Sequence, residues 1–293
     1  MNGSTLAVVI PAYNAERTIR RAIESARAVH ADEIIVIDDG SDDGTAALAE
    51  HLQARVVVQI NSGPGSARSA GERLAKSDYI VFLDADDALV KEGVIKSKKR
   101  LDADKGIAAS VGRYYVQADS SGRTAIAARG YLSLDTTALV RLGHGPTPPS
   151  AIVYRRSSLL VANDISPCPL SPRYSEDYET LIRASMVGSV VDFPEPTCIY
   201  SVGAGRSSLF GSSELDDRDK VQRYYALAVG IQIKPWGWCR RSSTLLLKRA
   251  RHARLRGNLT EFVFYSVCAL IVDPRSGLRA IRRRVNTASG GRG

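Results

Sequence analysis

The stretch Tyr79–Asp87, YIVFLDADD, decides how the rest of the chain is read. Tyr79 to Leu83 is a short, continuous apolar run, the pattern of a strand buried on both faces in a parallel sheet. Three carboxylates, Asp84, Asp86 and Asp87, stand directly at its C-terminal end. Runs of the same kind precede it at Leu6–Ile10 (LAVVI), Ile34–Ile37 (IIVI) and Val56–Ile60. Helices are predicted between them: Arg17 to Ala28 behind Asn14 as cap, a second from Ser41 or Asp42 as cap to about Leu52, and a third over Ser66 to Ala75. Strand–helix alternation with short loops predicts a doubly wound, parallel α/β sheet. Ligands of such sheets bind beyond the carboxyl ends of the strands, and here the polar clusters fall at those ends.

Carboxylates this close in sequence repel one another and resist removal from water. Two readings answer that problem. One is a solvated, Asp-rich helix N-terminus. The other is a hard divalent cation, Mg²⁺ or Mn²⁺, which takes oxygen ligands and has room for diphosphate oxygens besides. A cation there would also neutralise charge building on a departing diphosphate.

The middle of the chain is less regular. Ile107–Gln117 and Thr124–Ala128 are predicted as a hairpin around Asp119–Gly122. A loop at Gly143–Ser150 (GHGPTPPS) precedes a strand at Ile152–Tyr154 and a short helix near Ser157. Glu176–Met186 reads as a helix opened by Ser175-Glu176-Asp177, and Asp192–Tyr200 as a late strand. Beyond about Ser212 the pattern turns helical and basic. The organisation expected is a catalytic domain over 1–212, a helical basic region over 213–285 and a disordered tail over 286–293.

The 293 residues, 44% hydrophobic and 24% charged, suit a globular protein with a sizeable core. Cys168, Cys198, Cys239 and Cys268 form no CxxC pair. They argue for a reducing compartment and against a zinc site. Met1–Ala7 shows no basic region followed by an apolar one, so no secretory signal is predicted. The longest apolar run, Phe262–Val272, falls short of the roughly 18–20 residues that span a bilayer. The net charge of +9 is uneven: Lys220–Gly293 holds 16 Lys and Arg against two acids, leaving 24 basic and 29 acidic residues elsewhere. The basic end is read either as a solvated helical surface or as a patch for anionic lipid headgroups; without a recognisable module, nucleic acid is not expected. The expected place is the cytoplasm, with peripheral attachment to the inner face of the cell membrane left open.

Four segments in order, VVIPAYNAERTI (Val8–Ile19), IIVIDDGSDDGT (Ile34–Thr45), GPGSARSAG (Gly63–Gly71) and YIVFLDADD, resemble the signatures of family 2 inverting glycosyltransferases. The resemblance is close over the first 90 or so residues and looser to about residue 210. It implies a GT-A-type, Rossmann-like, mostly parallel sheet with flanking helices, to which the basic helical region is added. It implies a nucleotide-sugar donor, with uridine the usual base, a Mn²⁺ or Mg²⁺ cofactor, and a saccharide or lipid-linked acceptor in surface polysaccharide assembly. Pro11, Ala12 and Tyr13 would line the nucleotide pocket and Asp39 would recognise the base. Arg68 would approach base or diphosphate, Asp84 and Ala85 would lie near the ribose, and Asp86 would hold the metal. Ser175–Leu181 is similar to the family's ED motif, which makes Asp177 the general base and puts Glu176 on the acceptor or a nearby backbone group. Inversion needs one such carboxylate to take the acceptor proton, unlike the carboxylate pair of glycoside hydrolysis. Pro148–Ala151 with Tyr154–Arg156 would shape the acceptor side. The chain departs from the family pattern at Tyr200–Ser208, where Ser201 and Gly203 stand for an Arg and a His; Arg206 is the candidate diphosphate clamp in their place.

Two other classes compete. A nucleotidyltransferase making nucleotide sugars would carry a Gly-rich, Arg-containing loop after the first strand, where this chain has PAYNAERT. A non-catalytic nucleotide-sugar-binding protein would have lost the carboxylates, yet Asp86 and Asp177 are both present. The basic region is also a candidate homodimer surface.

Overall fold

The computed structural model describes residues 3–117, 124–127, 133–201, 212–255 and 257–274. Its elements run β1 (Leu6–Ala12), α1 (Ile19–Ala28), β2 (Glu33–Asp38), α2 (Thr45–His51), β3 (Arg55–Val58), α3 (Pro64–Leu74), β4 (Tyr79–Phe82), β5 (Ala88–Leu89), α4 (Lys91–Ala103), β6 (Ile107–Gln117) and β7 (Thr124–Ala127). There follow α5 (Thr136–Leu142), a 3₁₀ turn at Pro149–Ala151, β8 (Ile152–Arg155), α6 (Arg156–Asp164), α7 (Glu176–Val187) and β9 (Ser189–Ser201). Three helices close the described chain: α8 (Ser212–Ala228), α9 (Trp238–Leu255) and α10 (Leu259–Val272).

One sheet of nine strands organises the body, in the order β3-β2-β1-β4-β8-β6-β9-β5 with β7 paired to β6. The first four are parallel, as their apolar runs predict. β8 runs antiparallel to β4 and β6, and β5 antiparallel to β9, so the sheet is mixed rather than wholly parallel. Side chains alternate across β1: Leu6, Val8 and Ile10 join one core with α1, α2 and α4. Ala7 and Val9 join the other with α3, α5, α6, α7 and α8. This is the period of two that places successive side chains on opposite faces.

The predicted hairpin is present as β6 and β7; its turn at Asp119–Gly122 lies outside the described residues, as does the tail over 286–293. Two caps differ from expectation. Asn14 does not cap α1, whose N-cap is Thr18. Its backbone bends to φ 50° and its side chain accepts from the Asp42 N–H at 2.9 Å, tying the first loop to the second. Neither Ser41 nor Asp42 caps α2: Gly44 occupies that place and Asp43 accepts from the Thr45 N–H at 3.0 Å. Short polar side chains near a helix start serve loop–loop contacts as readily as caps. β5 and α4 were not expected, β5 because two residues carry no periodicity. Among the described residues no helix is long and apolar enough to cross a membrane.

Candidate active site

Every strand of the parallel half ends at the same edge. The Asp39 N–H donates to the carbonyl of Ala12 at 2.8 Å, so the loops holding Tyr13 and Asp39 are neighbours. Asp39 is buried and both its carboxylate oxygens are engaged: Oδ1 accepts from the Ser62 N–H and Gln59 Nε2, Oδ2 from the Gly63 N–H, each at 2.8 Å, which leaves Oδ2 room for a further donor. It therefore shapes the loop into α3, where Gly63 takes φ 92°, a value that favours glycine.

Beyond β4 the three carboxylates divide. Asp84 accepts from Arg68 Nη2 at 2.5 Å. Asp87 is wholly buried and turns inward, accepting from Ser150 Oγ at 2.7 Å and from the Ser201 N–H at 2.9 Å. Ser150 also accepts from the Asp84 N–H at 3.1 Å. Asp87 is thus the anchor that sews the β4 tip to the 3₁₀ turn and to the end of β9. The sequence held one signal for this, the Pro148–Ala151 segment, but not the partner. Asp86 is left with part of its surface in solvent. Burial first, then the charge of Asp84, pushes its carboxyl up to about 6, while Arg21 of α1 opposes the shift. Burial, Asp84 and Asp86 likewise raise Asp87 well above the carboxylate range.

The other half of the site is the N-terminus of α7. Ser175 sits there with φ 66° and makes no side-chain cap, while the Asp177 carboxylate accepts from the backbone of Tyr178 in the first turn. Each acid of that turn has its own task. Glu176 pairs with Arg68 Nη1, lying against Gly65, where an added Cβ would come within 2.7 Å of Glu176 Cγ. Glu179 is buried and accepts from the Leu170 and Ser171 N–H groups at 2.7 and 2.9 Å and from Tyr225 Oη at 2.7 Å. Asp177 faces a cavity of about 680 Å³ that Arg68, Glu72, Tyr154 and Arg183 also line. Removal from water raises the Asp177 carboxyl; Arg68 opposes this, Asp84 adds to it, and Arg218 of α8 opposes it.

Arg68 is therefore the joint of the site. One guanidinium reaches the β4 tip and the α7 N-terminus, 108 residues away in sequence, and acts on Asp177 as well. Of the expected residues, Asp84, Arg68, Glu176 and Asp177 are brought together by these contacts. Pro11 and Ala12 close β1, and Tyr13, Asp39, Ala85 and Asp86 lie on the adjoining strand-end loops; neither these nor Asp84 line the cavity. Arg206 lies outside the described residues. Arg21 and Arg218 were not foreseen, and Asp87 and Ser150 were read within their segments but not as partners, since nothing in the spacing of β1 to β4 places α1, the 3₁₀ turn or α8 beside the carboxylates.

The structure superposes on glycosyltransferases of the GT-A fold. TarS of S. aureus, solved in complex with UDP-GlcNAc, matches with a TM-score of 0.60 and 19% identity over 93% of this chain and 82% of that one. Glucosyl-3-phosphoglycerate synthase of Mycobacterium tuberculosis, solved with Mn²⁺ and UDP, matches at 0.51 and 25% identity over 79% and 82%. The fold is that of a GT-A glycosyltransferase. The profile described as Glycosyl transferase family 2 matches residues 7–160, and the chain belongs to that family. The succinoglycan biosynthesis protein ExoO of Rhizobium meliloti is 40% identical over 101 residues, and the chondroitin synthase of Escherichia coli 38% over 96. Those stretches are 32% and 30% of this chain and only 29% and 14% of the relatives.

Proposed function

We propose that the chain transfers a sugar, with inversion, from a UDP-sugar to a hydroxyl of a saccharide or lipid-linked acceptor, with Asp177 as general base. The observation that supports this reading is the Arg68 bridge, which ties the Asp84 carboxylate at the β4 tip to Glu176 at the α7 N-terminus, beside Asp177. Solved relatives of the same fold hold UDP-GlcNAc or UDP with Mn²⁺. Those bound ligands support a uridine donor, and the names of ExoO and chondroitin synthase support a saccharide acceptor in polysaccharide assembly.

The residues divide the work. Pro11, Ala12 and Tyr13 form the wall for the base, with Asp39 recognising it and holding the loop into α3. Asp84 and Ala85 meet the ribose side, and Arg68 supplies a fixed guanidinium for the diphosphate. Arg206 is the second diphosphate clamp. Asp177, half-buried on the cavity wall and raised in pKa, is a stronger proton acceptor than a free carboxylate once ionised, as a base for a hydroxyl requires. Glu176, held by Arg68, orients the acceptor.

The donor set fits a divalent cation. Among the described residues no group of three or more His, Cys, Asp or Glu is placed to hold a metal alone. Asp86, crowded by Asp84 and raised to about 6, matches a site where one or two carboxylates share the ion with phosphates and water, the usual habit of Mg²⁺. Asp86 would hold it, and when bound it would supply charge stabilisation to the leaving diphosphate.

Incubation with a panel of UDP-sugars and Mn²⁺, with and without added pyrophosphate, tests the reading: slow UDP release that EDTA abolishes is expected, and pyrophosphate-dependent formation of UTP instead would overturn it. A thermal-shift screen of nucleotide sugars then identifies the donor, because a ligand bound only by the folded state raises apparent stability.

A further inference from the structure

α9 and α10 pack on each other through small residues. Ala250, Ala253 and Ala269 are buried, and Ser243 Oγ donates to the carbonyl of Ala269 at 3.2 Å. α9 is fastened to α8 by charge: Lys248 to Glu214 at 2.6 Å, Arg241 to Asp219 at 3.3 Å, and Arg241 to Asp216. With that face used, α10 turns an apolar side to solvent. Leu259, Val263, Phe264, Val267 and Ile271 are between 46% and 74% exposed. Leu259, Val263, Val267 and Ile271 recur every fourth residue, which makes one stripe about 18 Å long on a helix rising 1.5 Å per residue.

Cations lie on the opposite, α9 side of α10. The Arg249 guanidinium carbon lies 5.9 Å from the centre of the Tyr265 ring, and that ring packs edge-on against Phe264. Arg249 and Arg254 are exposed. The sequence after α10, residues 275–293, adds six arginines and no acid. An exposed apolar row is costly in water, and backed by a basic helix it matches a surface that is apolar inside and anionic outside. A second copy of the chain would set two basic regions, each with 16 Lys and Arg against two acids, face to face, which like-charge repulsion opposes. We propose that the α9–α10 hairpin docks on an anionic lipid surface, with the α10 stripe sunk among the acyl chains and the α9 arginines on the headgroups. The catalytic cleft is thereby held at a membrane face.

The test is flotation of the full chain with vesicles of phosphatidylcholine, alone or mixed with phosphatidylglycerol, at low and high salt. The expected result is binding to the mixed vesicles only, weakened by salt. The double variant Phe264→Ser, Ile271→Ser is expected to lose about tenfold or more in vesicle affinity. Far-ultraviolet circular dichroism and UDP binding should be unchanged, so that failure here is separable from failure of the catalytic reading. Phe264→Trp gives a second readout, a blue shift of its emission on adding mixed vesicles, that does not depend on tolerance of serine. The proposal is overturned if the chain stays with the aqueous fraction, if the serine variant floats as well as the parent, or if light scattering shows a dimer that the serine variant abolishes.

Discussion

The β4 tip and the α9–α10 hairpin are both crowded with like charges, and the two crowds behave in opposite ways. At the tip Asp84, Asp86 and Asp87 are drawn partly or wholly out of water. Each is given a distinct partner or a shifted pKa. Along the hairpin a larger excess of one sign sits on or near the surface, where solvent screens it and no single charge is decisive. The helices show the same contrast. α8 is rich in charged residues, yet Leu215, Val221, Tyr225 and Ala226 are buried against the body. α10 is the most apolar of the three, yet it is exposed. Composition sets neither burial nor role; what an element packs against sets both.

The largest expected effect lies in the cleft. Asp177→Asn should lower kcat by about 10²–10⁴ while UDP binding, read by calorimetry, is kept. Arg249→Gln should leave turnover of a soluble acceptor within about twofold, as expected for an exposed charge far from chemistry. Equal damage from both would erase the distinction. The acid limb of the kcat/KM profile should also lie above the ordinary carboxylate range, because the Asp177 carboxyl is raised.

Next in size is the buried contact between α7 and α8. Glu179→Leu leaves the Leu170 and Ser171 N–H groups and Tyr225 Oη without their acceptor. A loss of about 3 kcal/mol in urea unfolding is expected. A loss near zero would mean that α8 is as loosely held as the hairpin surface.

Asp86 offers a smaller effect with a sign that sharpens the contrast. Its folded-state pKa, about 6, lies above its ordinary 3.8. The stability tied to its proton is present below about pH 4 and lost as pH rises through about 6. In EDTA at pH 7.5, Asp86→Asn should therefore raise unfolding free energy by about 1–3 kcal/mol, and the gain should fade by pH 4. Hairpin charges should show no such pH-dependent gain in thermal melts. The smallest effect is at α10: without vesicles, Phe264→Ser should change unfolding free energy by under about 0.5 kcal/mol, since the ring is already 61% exposed.

Much of this was legible in the chain. The apolar runs that became β1, β2 and β4 are buried on both faces, as strands of a covered parallel sheet are. The acidic cluster and Ser175–Asp177 stand where they were expected, at a strand end and a helix start. Caps were misread at Asn14 and at Ser41 or Asp42, because the Asn14 and Ser41 side chains met a neighbouring loop that local sequence does not reveal. The antiparallel course of β8 and the two-residue β5 were illegible for a related reason: strand direction and short pairings are chosen by the neighbour.

By itself, then, the order of residues determined where buried strands fall, which ends carry carboxylates, and that the last quarter is basic. Those properties follow from spacing and composition along one dimension. Only the folded chain decided that Arg68 would span Asp84 and Glu176, that Asp87 would turn inward to Ser150, and that α8 would be buried while α10 stayed bare. Such pairings join residues far apart in sequence. Their energies depend on distance and on exclusion of water, neither of which exists until the sheet has brought its strand ends together.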